Sequence, residues 1–219
     1  MTPGRLAGVL LLLGFVLGGC AHVEGRPTQT GWQLFPRQAE GLTAQSPLLW
    51  PDHAWGRSDV YRALSAATTT LTRRHPGSVV AFLDVSRRGG GAFPPHLSHR
   101  KGVDVDILYL ALRPSGALFP SSVQPPVLGY LIKYGRNRQH GHLTFDAERN
   151  WTFLLALRRQ THVRVAKVFV EPFIEEWLLE EGRRSGASAE ELRWARDVLR
   201  YAGANALDHK DHMHIRFVE

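Results

Sequence analysis

Histidine and aspartate are concentrated in two short segments of the chain. Five of the eleven histidines and three aspartates fall within them, namely His96, His99, Asp104 and Asp106 in the first segment and His209, Asp211, His212 and His214 in the second. Catalytic zinc that lacks cysteine ligands is bound by imidazole and carboxylate groups, usually three of them with a fourth position left to water. These residue types therefore predict a metal site built from two distant parts of the chain.

Each segment runs into a strand that alternates apolar and polar residues. The polar faces carry Asp104 and Asp106 in the first strand, residues 103–110, and His212 and His214 in the second, residues 212–218. Successive side chains of a strand point to opposite sides, so each pair shares one face. Gly102 allows the chain to turn between His99 and Asp106. The acidic face is predicted to point to a site or to solvent.

Two imidazoles and one carboxylate would complete such a site. His99 comes from the loop before the acidic strand, Asp106 lies on that strand, and one histidine of the last strand binds while the other stands beside the open position. Bound zinc lowers the pKa of its water to about 7 and polarises a carbonyl group. The chain has no H-E-x-x-H helix to supply a glutamate base. His212 is therefore predicted to accept the proton.

Each of these features has a simpler explanation when it is taken alone. A single histidine is more often structural or exposed than a metal ligand, and an H-x-H pair often arises by chance. Asp104 and Asp106 could form a solvated strand face. The combination of two histidine clusters, an aspartate at ligand spacing and matching strand faces favours zinc.

The N-terminal residues have the pattern of an export signal. Arg5 precedes an apolar run over residues 6–17, which is too short for a stable membrane span and typical of a signal peptide. The run ends in Leu-Gly-Gly-Cys, which resembles a bacterial lipobox, so Cys20 is predicted to be lipidated after residues 1–19 are removed. Ala21 is similar to outer-membrane sorting signals. A periplasmic lipoprotein is the prediction; an uncleaved anchor or an ordinary signal peptide are the alternatives.

The composition is that of a soluble globular domain with a basic surface. The formal net charge is +7 and the isoelectric point is about 10.1, which favours an anionic partner. Nucleic acid, peptidoglycan stem peptides and anionic lipid all qualify, and export argues against nucleic acid. Cys20 is the single cysteine, so the fold has no intramolecular disulfide.

The order of the predicted elements indicates an α+β fold. Residues 20–45 are predicted to be a tether and an irregular segment, and residues 46–219 the domain that carries the metal site. Within that domain we expect a small antiparallel sheet flanked by helices, because helices and strands mix without a steady βαβ order. The predicted helices begin at Ser58 as an N-cap, after Asp146 as an N-cap, at Pro172, and at a Ser188–Glu191 capping box.

The two segments resemble the motifs of a known family. Residues 98–106 are similar to the S-H-x-x-G-x-D-V-D signature of the penicillin-insensitive murein endopeptidases, and residues 209–214 are similar to their H-x-x-H-M-H ending. This family is a branch of the LAS metallopeptidases, which include lysostaphin, D-Ala-D-Ala peptidases and hedgehog-like folds. The resemblance covers roughly residues 45–219, and the paired motifs are its specific part.

The resemblance implies a role for each motif residue. It implies zinc ligation by His99, Asp106 and His214 and a base or transition-state role for His212. His96 and His209 match further family histidines with a supporting or second-metal role. The remaining assignments stay open: Asp104 could orient a histidine or be solvated, and His140, His142 and Asp146 are candidates for a second metal site, with helix capping as the alternative for Asp146.

The resemblance also implies a reaction. Members of the family hydrolyse the D-alanyl–diaminopimelyl cross-link between stem peptides, and β-lactams do not inhibit them because no serine is acylated. This agrees with the lack of an S-x-x-K serine centre in a suitable context. A D,D-carboxypeptidase with the same site is one alternative. A non-catalytic peptidoglycan-binding lipoprotein with structural zinc is another, and it is disfavoured because such sites are usually closed by four ligands and rely on cysteine.

Overall fold

The computed structural model describes residues 31–45, 50–94, 96–120, 130–161, 163–203 and 208–218. Within these ranges the helices are α1 (Ser58–Arg74), α2 (Ala147–Arg158), α3 (Pro172–Arg184) and α4 (Ala189–Val198). The strands are β1 (Trp32–Leu34), β2 (Gln38–Ala39), β3 (Leu42–Ala44), β4 (Trp55–Arg57), β5 (Val80–Phe82), β6 (Asp104–Leu108), β7 (Ala111–Leu112), β8 (Leu118–Phe119), β9 (Gln139–His140), β10 (Leu143–Phe145), β11 (Arg164–Phe169), β12 (Leu199–Arg200) and β13 (His212–Val218).

A seven-stranded sheet holds the two motif strands at its centre. Its order is β12-β11-β13-β6-β5-β3-β2. The pairs β11–β12 and β3–β5 are parallel and the other four are antiparallel. The predicted α+β class is confirmed, and the sheet is larger than the small one expected. Because β6 and β13 are neighbours, their polar faces become one surface.

The apolar faces of β6 and β13 lie in the main core. Their side chains are at most 1% exposed: Val105, Ile107, Met213, Ile215 and Phe217. The opposite face is buried as well, since Asp104 and Asp106 are 3% and 1% exposed. Of the two predicted environments for the acidic face, the structure therefore gives the site rather than solvent.

The helices begin largely as predicted. Asp146 caps α2 by accepting a hydrogen bond from the backbone N–H of Arg149, and Ser188 and Glu191 form the capping box of α4. The prediction of Ser58 as an N-cap was wrong. The N-cap of α1 is Arg57, and the Ser58 hydroxyl instead donates to the carbonyl of Gly31.

The segment predicted to be irregular contributes strands. Within residues 20–45, β2 and β3 join the central sheet, β1 pairs with β4, and Phe35 is fully buried. Strands of two or three residues are too short to show an alternating pattern, which explains why the sequence did not reveal them. Residues 1–19, which are predicted to be a signal peptide, and Cys20 and Ala21 lie outside the described residues, so their predicted roles stay predictions. None of the helices described is long and apolar enough to cross a bilayer.

Candidate metal centre

Sheet register brings the two motifs together. In the β6–β13 pair, His214 lies opposite Asp106 and Arg216 lies opposite Asp104. The Nδ1 atom of His214 is 2.9 Å from Oδ1 of Asp106. The Nε2 atom of His99 is 3.1 Å from His214 Nδ1 and 3.3 Å from Asp106 Oδ2. Three potential ligand atoms from three elements therefore converge.

A tight backbone turn delivers His99 to this point. His99 has a positive φ of 48°, which is uncommon for a residue with a side chain. Gly102 follows with φ of 63°, and a Cβ atom there would lie 2.7 Å from the Trp32 ring and 2.9 Å from the backbone of Gly56. The Ser86 hydroxyl donates to the His99 carbonyl at 2.5 Å. The turn thus needs glycine at position 102, and the hydrogen bond from Ser86 stabilises it.

Hydrogen bonds fix which nitrogen of each imidazole faces the centre. His99 donates from Nδ1 to the Val85 carbonyl at 3.0 Å, and His214 donates from Nε2 to Asp104 Oδ1 at 3.0 Å. Asp104 also accepts a hydrogen bond from Nε of Arg216 at 2.6 Å. The opposite ring nitrogens, His99 Nε2 and His214 Nδ1, are therefore left with lone pairs that point toward each other and toward the Asp106 carboxylate.

Such a cluster of acceptors fits a bound cation. Asp106 Oδ1 is buried and has no hydrogen-bond partner among the described residues. Tetrahedral zinc with bonds of about 2.0–2.1 Å separates its ligand atoms by roughly 3.3 Å. The observed separations of 2.9–3.3 Å are close to that value. The donor set of two imidazoles and one carboxylate therefore fits a catalytic metal in both chemistry and spacing.

His96 offers an alternative third donor. Potential ligand atoms of His96, His99 and Asp106 all lie within 4.8 Å of one another, and this set could hold a metal ion. The set with His214 is tighter, since its atoms lie at most 3.3 Å apart. His96 Nε2 is also engaged by Asp84 Oδ2 at 2.9 Å. We therefore favour His99, Asp106 and His214 as the ligands, with His96 beside them.

Electrostatic interactions hold the cluster together in the absence of a metal ion. Burial lowers the pKa of His214, but the neighbouring carboxylates of Asp104 and Asp106 outweigh it and raise the pKa to about 9. Burial also lowers the pKa of His99, but the charge of Asp106 outweighs burial, so the pKa of His99 is raised. Burial would raise the pKa of Asp106, yet the charges of His99 and His212 hold it well below its usual range. A metal ion would thus displace protons from this cluster.

His212 lies beside the three proposed ligands. Its Nδ1 atom donates to Asp211 Oδ1 at 2.6 Å, which leaves Nε2 as the basic nitrogen, 3.7 Å from Asp106 Oδ1. Both residues are buried, and Oδ2 of Asp211 has no hydrogen-bond partner in the described part of the protein. Asp211 had no predicted role, although its position directly before His212 was visible in the sequence.

His96 and His209 lie next to different members of the cluster. The His96 ring is 4.6 Å from the His99 ring, whereas the His209 ring is 5.0 Å from the His212 ring. Burial and, after it, the interaction with the neighbouring histidines lower the pKa of His209 to about 4. His209 is therefore a neutral imidazole at pH 7. The proposed second-metal role of these two histidines stays a prediction.

A second carboxylate, that of Asp84, lies next to the cluster and was not predicted from the sequence. Asp84, which is 4% exposed, contacts His53 Nδ1 at 2.5 Å, His96 Nε2 at 2.9 Å and the Tyr130 hydroxyl at 2.5 Å. The Tyr130 hydroxyl is also 2.8 Å from Asp106 Oδ2. The one sequence feature that could have indicated Asp84 was its position as a lone aspartate inside the apolar run of residues 78–85. His53 and Tyr130 lie outside both motifs, and no sequence feature indicated their role.

The other second-metal candidates have different surroundings. Asp146 caps α2 and pairs with Arg149 at 2.7 Å, so the structure gives it the capping role. His140 and His142 lie in the β9–β10 hairpin, where Nδ1 of His140 donates to the Lys133 carbonyl at 3.1 Å and His142 is exposed.

The Asp104 contacts lead to a prediction about metal affinity. Replacing Asp104 with asparagine removes the charge that orients His214 Nε2–H and should lower zinc affinity about 10–100-fold. Competition titration with a chromogenic chelator would measure this. Asp208→Asn is a matched control, because Asp208 pairs with Lys133 near the surface. Unchanged affinity in Asp104→Asn would show that Asp104 does not support the metal site.

Comparison with known proteins agrees with this geometry. The family model described as penicillin-insensitive murein endopeptidase matches residues 30–218. The match covers most of the chain and includes both histidine segments and the strands that carry them. A search of curated proteins gives no match. The resemblance drawn from the two motifs is confirmed, and the chain belongs to the family of penicillin-insensitive murein endopeptidases, which are peptidases of peptidoglycan.

Proposed function

We propose that this murein endopeptidase is a zinc-dependent DD-endopeptidase that hydrolyses the D-alanyl–diaminopimelyl cross-links between stem peptides. The observation that carries the proposal is the convergence of His99 Nε2, His214 Nδ1 and an unpartnered oxygen of Asp106 in a chain of this family. Two imidazoles and one carboxylate form a common ligand set of catalytic zinc sites. The absence of cysteine from this set disfavours a closed structural site.

The proposed residues divide into metal ligands and a base. His99, Asp106 and His214 would hold the zinc, which when bound would activate a water molecule and polarise the scissile carbonyl. Val85 and Asp104 accept the outward N–H groups of the two histidines and so keep both rings in the binding orientation. These contacts favour a preorganised site.

His212 is proposed to move the proton. Its Nε2 atom accepts a proton from the attacking water, and the resulting imidazolium is stabilised by Asp211 Oδ1, 2.6 Å from Nδ1. The same proton then passes from Nε2 to the departing amino group of the diaminopimelyl residue as the C–N bond breaks. The buried Asp211 keeps Nδ1 protonated throughout, so that the proton is exchanged at the nitrogen that faces the substrate.

A basic side chain near the cluster, that of Arg87, suits an anionic substrate. The Arg87 guanidinium lies 6.0 Å from the centre of the Phe93 ring, which stacks on the His96 ring at 5.5 Å. Stem peptides carry free carboxylates, and this basic side chain would help to steer them toward the site more than it would tighten binding. We further propose that a lipidated Cys20 anchors the protein at the periplasmic side of the outer membrane, where peptidoglycan is accessible.

Digestion of purified peptidoglycan tests the proposal. The chain from Ala21 onward, loaded with zinc, is expected to convert dimeric muropeptides to monomers, as read by mass spectrometry. A chelator should stop the reaction and added zinc should restore it. Release of terminal D-alanine alone would indicate a carboxypeptidase instead. A folded, zinc-loaded protein that cleaves nothing would favour the non-catalytic peptidoglycan-binding alternative.

A further inference from the structure

The Tyr130 hydroxyl lies between two buried carboxylates. It is 2.5 Å from Oδ2 of Asp84 and 2.8 Å from Oδ2 of Asp106. The two aspartates are brought side by side by the backbone, because the N–H of Asp106 donates to the carbonyl of Asp84 at 2.9 Å. A phenol has one proton to donate. The hydroxyl therefore serves one carboxylate at a time and can change acceptors without a large movement.

Asp84 does not depend on this hydroxyl. Its Oδ1 atom is 2.5 Å from His53 Nδ1 and its Oδ2 atom is 2.9 Å from His96 Nε2. Both oxygens therefore keep an imidazole partner if the Tyr130 proton turns elsewhere. On the other side, Asp106 is proposed to bind the metal. The Tyr130 proton is thus available to a third acceptor that enters the site.

Tyr130 also lies next to the proposed base. Its ring centre is 4.8 Å from that of His212, and the two rings meet edge to face. His212 Nε2 approaches Oδ1 of Asp106, while the Tyr130 hydroxyl approaches Oδ2 of the same carboxylate. A proton acceptor and a neutral donor therefore lie at the two oxygens of one proposed ligand, where the scissile peptide must bind.

The other donors around Asp106 are already used. Within the described part of the site, His99 donates to Val85, His214 donates to Asp104 and His212 donates to Asp211 from the nitrogens that face away from the centre. A tyrosine hydroxyl ionises near pH 10, so at neutral pH it is a donor. Tyr130 is thus a described hydroxyl donor that contacts the side chain of a proposed metal ligand, whereas the Ser86 hydroxyl donates to the backbone carbonyl of His99.

We propose that Tyr130 is a catalytic residue that donates a hydrogen bond to the carbonyl oxygen of the scissile peptide as negative charge develops on that oxygen. The inference rests on the proposed peptidase function and adds a residue to the same site. It assigns to Tyr130 the stabilisation that backbone or side-chain donors supply in other acyl-transfer sites. The hydroxyl leaves a carboxylate for a developing oxyanion, so it exchanges one negatively charged acceptor for another.

The variant Tyr130→Phe tests this proposal because it removes the hydroxyl and keeps the ring. With a soluble cross-linked muropeptide as substrate, kcat should fall about 10²–10³-fold, while KM and bound zinc stay unchanged. A phosphinate analogue of the scissile peptide resembles the tetrahedral transition state. Its affinity, measured by calorimetry on the zinc-loaded protein, should weaken by a similar factor.

Tyr134→Phe is the matched control. Tyr134 is 2% exposed and its hydroxyl has no hydrogen-bond partner among the described residues. Removing that hydroxyl should leave kcat, zinc content and phosphinate affinity unchanged. Thermal unfolding of both variants would show whether either substitution disturbs the fold.

The possible outcomes separate the inference from the function on which it rests. An active wild type together with a fully active Tyr130→Phe variant overturns the inference alone. A variant that loses zinc and regains full kcat at saturating zinc shows that Tyr130 only positions the ligands, which also overturns it. A zinc-loaded wild type that neither cleaves the muropeptide nor binds the phosphinate overturns the proposed function, and the inference with it.

Discussion

Replacing His99 with alanine is expected to abolish both zinc binding and the cleavage of peptidoglycan cross-links. His99 supplies one of three converging donors and is fully buried. Without it, Asp106 and His214 remain of the favoured ligand set and His96 is engaged by Asp84, so too few ligands are left for a stable catalytic site. Zinc content measured by atomic emission should fall from about one ion per chain toward zero, and no monomeric muropeptides should form above the background of a metal-free control.

Loss of folding must be separated from loss of metal. The substitution also removes the donor to the Val85 carbonyl, and an unpaired buried acceptor costs about 1–3 kcal/mol. Thermal unfolding of the metal-free wild type and variant would measure this cost directly. His142→Ala is the control, since His142 is an exposed histidine of the β9–β10 hairpin. A folded His99→Ala protein that retains zinc and digests peptidoglycan would contradict the proposed ligand set.

The motif strands were predictable because their pattern is local. The alternation around Asp106 and His214 identifies both strands and their polar faces from neighbouring residues alone. Their pairing was not predictable in the same way. Strand register depends on which strands become neighbours in the sheet, and the β6–β13 contact joins segments from the middle and the end of the chain. The sequence could predict the donors but not the distances between them.

Asp84 and Tyr130 are two residues of the site that the sequence motifs could not identify. Asp84 enters the site because β5 lies next to β6, so the residues after β5 run beside Asp106. Tyr130 is held by those two carboxylates and follows no periodic segment. Metal-site chemistry requires no particular sequence spacing between either residue and the motifs, so spacing could not identify them. Contacts of this kind are set by the fold as a whole, which explains why the sequence identified the proposed ligands and missed the residues that surround them.

Residues 32–44 illustrate the same limit for the fold. The strands β1, β2 and β3 each contain only two or three residues. β1 pairs with β4, β3 pairs with β5 and β2 pairs with β3. Gly56 helps to explain this packing, because a Cβ atom there would lie 2.7 Å from Val85 and 2.9 Å from Phe35. The segment therefore joins the domain through tertiary contacts that a local sequence pattern does not predict.

His212→Asn should separate proton transfer from metal binding. The Nδ2 atom of asparagine can occupy the position of His212 Nδ1 and keep the hydrogen bond to Asp211, but the basic Nε2 atom is gone. We expect kcat to fall about 10²–10⁴-fold, with zinc content and thermal unfolding close to those of the wild type. Hydrolysis of a soluble muropeptide dimer would measure kcat.

His212→Ala provides the comparison that makes this result specific. Alanine removes the hydrogen-bond partner of Asp211 Oδ1. The other carboxylate oxygen of Asp211, Oδ2, already has no hydrogen-bond partner in the described structure. The alanine variant should therefore lose a further ~1–3 kcal/mol of stability that the asparagine variant keeps, while both lose the same activity. If His212→Asn loses its zinc, His212 is a ligand. If it keeps zinc and a rate within about tenfold of the wild type, smaller than the contribution expected of a general base, the base is another residue.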